Sequence, residues 1–183
     1  MRPSGAPHRF TIRVYYEDTD AGGVVYHASY LRFAERARTE ALRAAGAPHS
    51  ELARLHGLSF MVRRIELEYL APARLDQAIV VTTETLTLGG ASAELRQTFL
   101  DAGGSDAEEP GTAGAKGGGG TDPPAKRVLA TARVALVCVR NRDGRPERIP
   151  QRWRQALSPH GEADGQPGDG AMKEEDKGRG SDG

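Results

Sequence analysis

The sequence predicts an α+β fold in which one antiparallel sheet packs around a single long helix. Three observations carry this. The elements run strand, long helix, short helix and then four strands, so helices and strands are segregated rather than alternating. The later strands follow one another as long hairpins, one of them closed by the tight Gly89-Gly90 turn, and not as parallel crossovers. The long helix carries alanines along its apolar face, which lets it lie close to a sheet.

The first strand is marked by Phe10, Ile12, Val14 and Tyr16 alternating with Thr11, Arg13 and Tyr15. From Ser29 to Ala45 the period changes to that of a helix. Tyr30, Phe33, Ala34, Ala37 and Ala41 share one face, flanked by Leu42 and Ala45, while Arg32, Glu35, Arg36, Thr39, Glu40 and Arg43 fall mostly on the other. Gly46 supplies a stop and Pro48 blocks continuation. Ser50 is placed to cap a short second helix carrying Leu52 and Leu55. Beyond Gly57 the chain reads as strand. Phe60 and Val62 have one parity and Ile65, Leu67 and Tyr69 the other, a phase slip that predicts a bulge near Arg63-Arg64. Ile79–Leu88 and Ala91–Leu100 form a hairpin about Gly89-Gly90, and Val128–Arg140 is the last long strand. Asn141–Gly144 is a turn, and residues 150–157 suit a short terminal helix.

Two stretches cannot join a core. Asp101–Arg127 contains four consecutive glycines (117–120) and Pro123-Pro124, and Ser158–Gly183 offers only Met172 for burial. Neither can offset its ordering entropy, so both are expected to be flexible. The expected domain is residues 8–157, interrupted by the glycine-rich insertion at about 101–127 and followed by a disordered tail at 158–183. The chain has 183 residues and a formal net charge of zero, which gives no argument for a nucleic-acid partner or an anionic membrane surface. All four lysines (Lys116, Lys126, Lys173, Lys177) lie in the two foreign stretches, leaving Arg as the cation of the folded part. The one cysteine, Cys138, sits in an apolar strand-like run and reads as a buried thiol. Residues 1–7 show no apolar signal core and no run is long enough to span a bilayer, so a cytoplasmic location is expected. The five histidines have no acid or cysteine at ligand spacing, and no metal is expected.

The chemistry concentrates in Glu17-Asp18-Thr19-Asp20-Ala21-Gly22-Gly23-Val24-Val25-Tyr26-His27, which runs from the first strand into the long helix. A helix N-terminus presents unpaired N–H groups and partial positive charge. A carboxylate beside it can attack a carbonyl, or activate water to do so, while the N–H groups hold the oxyanion. This is a plan for acyl transfer or hydrolysis. Glu17, Asp18 and Asp20 all compete for the carboxylate role on the residues alone. Asp20 lies nearest the glycine pair, where backbone can approach a ligand, whereas Asp18 and Asp20 also suit turn capping. Val25, Tyr26 and their neighbours are the candidate oxyanion donors.

The same segment, from Val14 to Tyr30, closely resembles the signature of hotdog-fold acyl-CoA thioesterases of the 4-hydroxybenzoyl-CoA thioesterase type, and most of all the branch associated with the bacterial Tol-Pal system. The resemblance continues through Leu31–Glu40, resumes at Phe60–Arg64 and at Glu68–Leu75, and weakens after Leu88. It implies a hotdog fold and hydrolysis of an acyl-CoA thioester to a free acid and coenzyme A, with no cofactor beyond the coenzyme A of the substrate. It selects Asp20 as the working acid, as general base or as nucleophile, with His27 beside the thioester and Tyr16 orienting Asp20. Arg63, Arg64 and Arg74 lie in matching blocks and are candidates for the coenzyme A phosphates. It further implies a homodimer or homotetramer with acyl and pantetheine groups at a protomer junction. An acyl carrier protein is a possible second partner. Two rival readings are a non-catalytic acyl-CoA or acyl-carrier binding module, linked to phospholipid metabolism or the cell envelope, and a dehydratase acting on 3-hydroxyacyl thioesters. A pure binder has no need of the acid, and the dehydratase wants a different pairing of His and acid.

Overall fold

The computed structural model describes residues 7–103 and 127–158, and the expectations for the bulk of the insertion and for the tail fall outside these residues. The elements are β1 (His8–Arg13), α1 (Ser29–Ala44), α2 (His49–His56), β2 (Leu58–Tyr69), β3 (Ala78–Leu88), β4 (Ser92–Asp101), β5 (Val128–Arg140) and α3 (Gln151–Leu157), with a 3-10 turn at Tyr16–Asp18 between β1 and α1. The five strands form one sheet in the order β1-β3-β4-β5-β2, and every pairing is antiparallel. One buried cluster joins Phe33, Ala34 and Ala37 of α1 to Ile79, Val81, Leu95, Phe99, Leu129 and Val134 of the sheet. This is the α+β hotdog architecture that the sequence predicts.

The local signals account for most of it. The β2–β5 register shifts between Val62 and Arg64, where the hydrophobic phase slips. The β3–β4 hairpin closes with the Gly89 N–H donating to the Ser92 carbonyl at 2.8 Å. At the far end of β4 the Asp101 N–H reaches the Arg127 carbonyl at 2.9 Å, so the insertion leaves and rejoins the sheet at neighbouring points. α2 starts one residue before the expected cap: Pro48 holds extended backbone ahead of His49, and Ser50 lies inside the helix.

The buried stripe of α1 departs from simple amphipathicity. Arg38 is 5% exposed, while Ala41 is only partly buried and Ala45 is exposed. Arg38 is tolerated because its Nη1 donates to Gln97 Oε1 at 2.9 Å and Nη2 pairs with Glu35. Gln97 in turn donates at 3.0 Å to the Ala34 carbonyl and to Thr83 Oγ1. A buried guanidinium is stable only within such a satisfied network.

The chain leaving the C-terminal end of α1 is held by hydrogen bonds. Gly46 takes the left-handed conformation at φ 72°, and the Ala45, Gly46 and Ala47 N–H groups all return to helix carbonyls. From α3, Arg152 donates through Nε to the Gly46 carbonyl at 2.8 Å and pairs with Glu51 at 2.5 Å. Trp153 anchors α3 in the core at 1% exposure. Among the described residues no helix is long and apolar enough to cross a membrane.

Candidate active site

β1 ends at Arg13, and the chain turns instead of continuing as strand. The Asp18 N–H donates to the Tyr15 carbonyl at 3.0 Å, and the Tyr15 N–H donates to Asp18 Oδ2 at 3.1 Å. An aspartate that hydrogen-bonds backbone locally outcompetes strand alternation. Tyr16, whose alternation places it in a strand, therefore sits in the 3-10 turn with its side chain 81% exposed. No hydrogen bond joins its hydroxyl to Asp20 among the described residues.

The three acids have separate fates. Asp18 is 2% exposed, and its carbonyl receives the Tyr26 N–H at 2.8 Å and the Ser29 hydroxyl at 3.1 Å. Its Oδ1 lies 3.8 Å from Arg32 Nη2. Asp18 thus ties the turn, the following loop and the start of α1 together. Glu17 is exposed and makes no tie of this kind. Asp20 is exposed at the tip of a tight turn. Its N–H donates to the Val24 carbonyl at 2.9 Å, and its carbonyl accepts the Gly23 N–H at 3.0 Å. The carboxylate accepts the Gly22 N–H through Oδ1 at 2.8 Å, and Oδ2 has no partner among the described residues. Gly23 has φ 72°, which favours glycine, and a Cβ on Gly22 would stand 3.0 Å from Asp20 Oδ1, so a side chain there would have to shift the carboxylate.

The return arm crosses to the β2–β3 connection. Val24 is bridged to Arg74, and the Val25 N–H donates to the Ala73 carbonyl at 2.8 Å. The oxyanion expectation is corrected here. The Val25 N–H is committed to Ala73 and the Tyr26 N–H to Asp18, because α1 begins only at Ser29 with Ala28 in the capping position. No side chain caps this end. The N–H groups of His27 and Ala28 have no acceptor among the described residues, and they are the donors that the helix start leaves free. The signal was present in the sequence, since helical periodicity starts at Ser29 and the free donors of a helix lie at and just before its first turn.

The His27 side chain is exposed, with its ring tilted against Tyr26 at 4.3 Å between centroids, and it is not hydrogen-bonded to Asp20. The His27 carbonyl accepts a hydrogen bond from the Tyr69 hydroxyl at 3.0 Å, a contact that sequence reading missed because the two residues are 42 positions apart. Arg74 is brought to the Asp20 turn through its bridge with Val24. Arg63 and Arg64 are not. They lie at the bulge of β2, five to six residues from Tyr69, roughly 17–20 Å along the strand. Arg64 is paired with Glu66.

A cavity of about 630 Å³ lies at the opposite end of α1, between Leu42, His49, Phe60, Leu95, Leu136 and α3, and Asp20 takes no part in it. Cys138 is fully buried, and burial, with Glu147 nearby, pushes its thiol up to about 11, so it is no nucleophile. No cluster of His, Cys, Asp or Glu able to hold a metal occurs among the described residues.

This chain can be set beside known proteins. It is 49% identical over 94 residues to the acyl-CoA thioester hydrolase YbgC of Escherichia coli O157:H7, covering 51% of this chain and 69% of that protein. It is 46% identical over 91 residues to the acyl-CoA thioesterase YbgC of Haemophilus influenzae, covering 50% of this chain and 67% of that one. The crystal structure of a probable thioesterase from Bartonella henselae is similar with a TM-score of 0.62 at 34% identity, covering 79% of this chain and 100% of that one. The model of the thioesterase-like superfamily matches residues 14–157. That span runs from Val14 to Leu157 and encloses the turn, the helix start and four of the five strands, β2 to β5: the chain belongs to the thioesterase-like superfamily.

Proposed function

We propose that the protein hydrolyses acyl-CoA thioesters to a free acid and coenzyme A. The observation that carries this reading is that one short segment holds both an exposed carboxylate, Asp20, and a helix start whose His27 and Ala28 N–H groups have no acceptor among the described residues. Asp20 either attacks the thioester carbon, giving a mixed anhydride that water then opens, or takes a proton from the water that attacks. In both routes negative charge develops on the thioester oxygen, where fixed N–H donors stabilise it. The sulfur departs as a thiolate and later takes up a proton. A thiol of pKa about 8.5 is a good leaving group, so no strong general acid is required. His27 stands beside the reacting carbonyl, and Arg74 is placed to meet a coenzyme A phosphate. The rival binding-module reading is disfavoured by the exposed acid, which binding alone does not need.

Assembly belongs to the same reading. Among the described residues β2 pairs with β5 alone, and its twelve residues carry the exposed Met61, Val62 and Tyr69. A long open edge of this kind favours pairing with a second copy. Antiparallel pairing of β2 with itself brings the Tyr69 end of one protomer to the Leu58 end of the other. The cavity near Phe60 of one subunit would then face the Asp20 turn of its neighbour and receive the acyl chain. A homodimer, or a tetramer of two dimers, a cytoplasmic location, a link to the Tol-Pal system and acyl carrier protein as a second partner are part of this proposal. So are the absence of a cofactor and of a metal, and a role for Tyr16, Arg63 and Arg64 at the composite site.

The test is a hydrolysis screen over acyl-CoA chain lengths and one aromatic acyl-CoA, with release of thiol followed by a trapping dye. Turnover of at least one class is expected. Tight binding of acyl-CoA without any thiol release would favour the binding module.

A further inference from the structure

The helix start holds two free N–H groups, but free donors are useful to catalysis only if their direction is fixed before the charge develops. In a trans peptide the carbonyl and the N–H of the same unit point in opposite directions. Holding the carbonyl therefore aims the N–H. The peptide unit between Tyr26 and His27 is held by the Ser29 N–H, which donates to the Tyr26 carbonyl at 2.8 Å. The next unit, between His27 and Ala28, lies outside the helix ladder. Its carbonyl is held by a side chain from a different element, the Tyr69 hydroxyl at the end of β2, at 3.0 Å. Tyr69 is itself fixed by an edge contact with Tyr30, with ring centroids 5.4 Å apart and planes at 77°, and Tyr30 is 3% exposed in the core.

We propose that Tyr69 is a positioning residue for the thioesterase reaction: its hydroxyl pins the His27 carbonyl and so aims the Ala28 N–H at the thioester oxygen. This rests on the reading of the helix start as the oxyanion site. A hydrogen bond received by a peptide carbonyl also polarises the N–H of the same unit and strengthens it as a donor. Partial burial raises the pKa of the Tyr69 hydroxyl above its ordinary value, which keeps it protonated and donating across the neutral range. The Tyr69 hydroxyl is engaged with the His27 backbone carbonyl, so its effect should fall on the step in which the thioester oxygen gains charge.

The test uses the full chain and the Tyr69→Phe variant, which keeps the ring against Tyr30 and removes only the hydroxyl. Two non-hydrolysable ligands separate carbonyl recognition from coenzyme A recognition: an acyl-CoA analogue with sulfur replaced by methylene, which keeps a ketone oxygen, and a thioether analogue, which has none. The expected result is a five- to twentyfold loss in kcat with KM within twofold. The ketone analogue should weaken by a similar factor and the thioether should not change. The ratio of the two affinities is insensitive to a partly unfolded sample, so reduced stability of the variant does not blur it. Wild-type kcat and an unchanged ratio in Tyr69→Phe would overturn the role of Tyr69 alone. Equal weakening of both analogues would also overturn it, showing a general loss of substrate binding. A wild-type protein that does not prefer the ketone would overturn the oxyanion reading itself, and the role of Tyr69 with it.

Discussion

The two ends of α1 are built on opposite principles. At the C-terminal end, Gly46 turns the chain left-handed, three successive N–H groups return to helix carbonyls, and Arg152 comes across from α3 to cover the Gly46 carbonyl. At the N-terminal end Ala28 caps nothing, two N–H groups are left free among the described residues, and Asp20, in the turn that leads to the helix, is exposed. Helix ends are normally satisfied because unpaired backbone groups are unfavourable. A fold that satisfies the backbone at one end and leaves donors free at the other has confined its available N–H groups to the end beside the Asp20 turn. Asp18 repeats the contrast within a few residues, being buried and bonded where Asp20 is open.

The sharpest way to break this comparison is to exchange the fates of the two acids. Asp20→Asn keeps the shape of the turn and removes the charge, and it should lower turnover at least a hundredfold with an unchanged melting temperature. Asp18→Ala removes the acceptor of the Tyr15 N–H and should destabilise the fold by about 1–2 kcal/mol, with a much smaller loss of activity per folded molecule. Thermal unfolding and steady-state rates on both variants decide it. If Asp18→Ala abolishes turnover in a fully folded sample, the division between structural and reacting acid is wrong.

A weaker effect is expected at the closed end. No atom lies within 4 Å of the position of a Cβ on Gly46, so Gly46→Ala meets only the backbone cost of φ 72°, roughly 1–2 kcal/mol. Stability should fall by that amount in a denaturant titration while kcat/KM stays within twofold for an acyl-CoA too short to reach the cavity that Gly46 lines. A large loss of activity would mean that the two ends of α1 are coupled.

The smallest expected effect is a pH dependence at the same end. Burial lowers the pKa of His49, opposed by Glu35 and reinforced by Arg38 and Arg43, while Phe60 packs on its ring. The unfolded chain then binds a proton below about pH 6.5 that the folded chain resists, so the contribution of His49 falls as pH drops through that value. Melting temperatures followed from about pH 7.5 to 5 should decline more steeply in the wild type than in His49→Gln. Parallel slopes would show that His49 is not in tension with its surroundings.

Much of this arrangement was legible in the residues, and the exceptions share a cause. The bulge near Arg63-Arg64, the hairpin at Gly89-Gly90 and the stop at Gly46 are written in local chemistry, and each occurs where that chemistry puts it. The burial of Arg38 could not be read locally, because the partner that permits it, Gln97, is 59 residues away. Tyr69 escaped for the same reason. Tyr16 was misplaced by alternation because a single Asp18 carboxylate bends the chain before the strand can continue. The displaced oxyanion donors were a matter of two residues. The helix begins where its periodicity begins, and its free N–H groups follow from that boundary and not from the apolar Val24-Val25 pair before it.

Cys138 has a practical consequence. It is the only cysteine in the chain, it is fully buried, and burial pushes its thiol pKa up to about 11. Disulfide and maleimide reagents attack thiolates, so the folded protein is invisible to them. Coenzyme A released in the cuvette is then the sole reactive sulfur, and the rise in signal counts catalytic events without subtraction of a protein background. The same silence makes unfolding conspicuous. One equivalent of colour per chain, appearing without substrate, would report loss of the core around β5 in the assay that measures turnover.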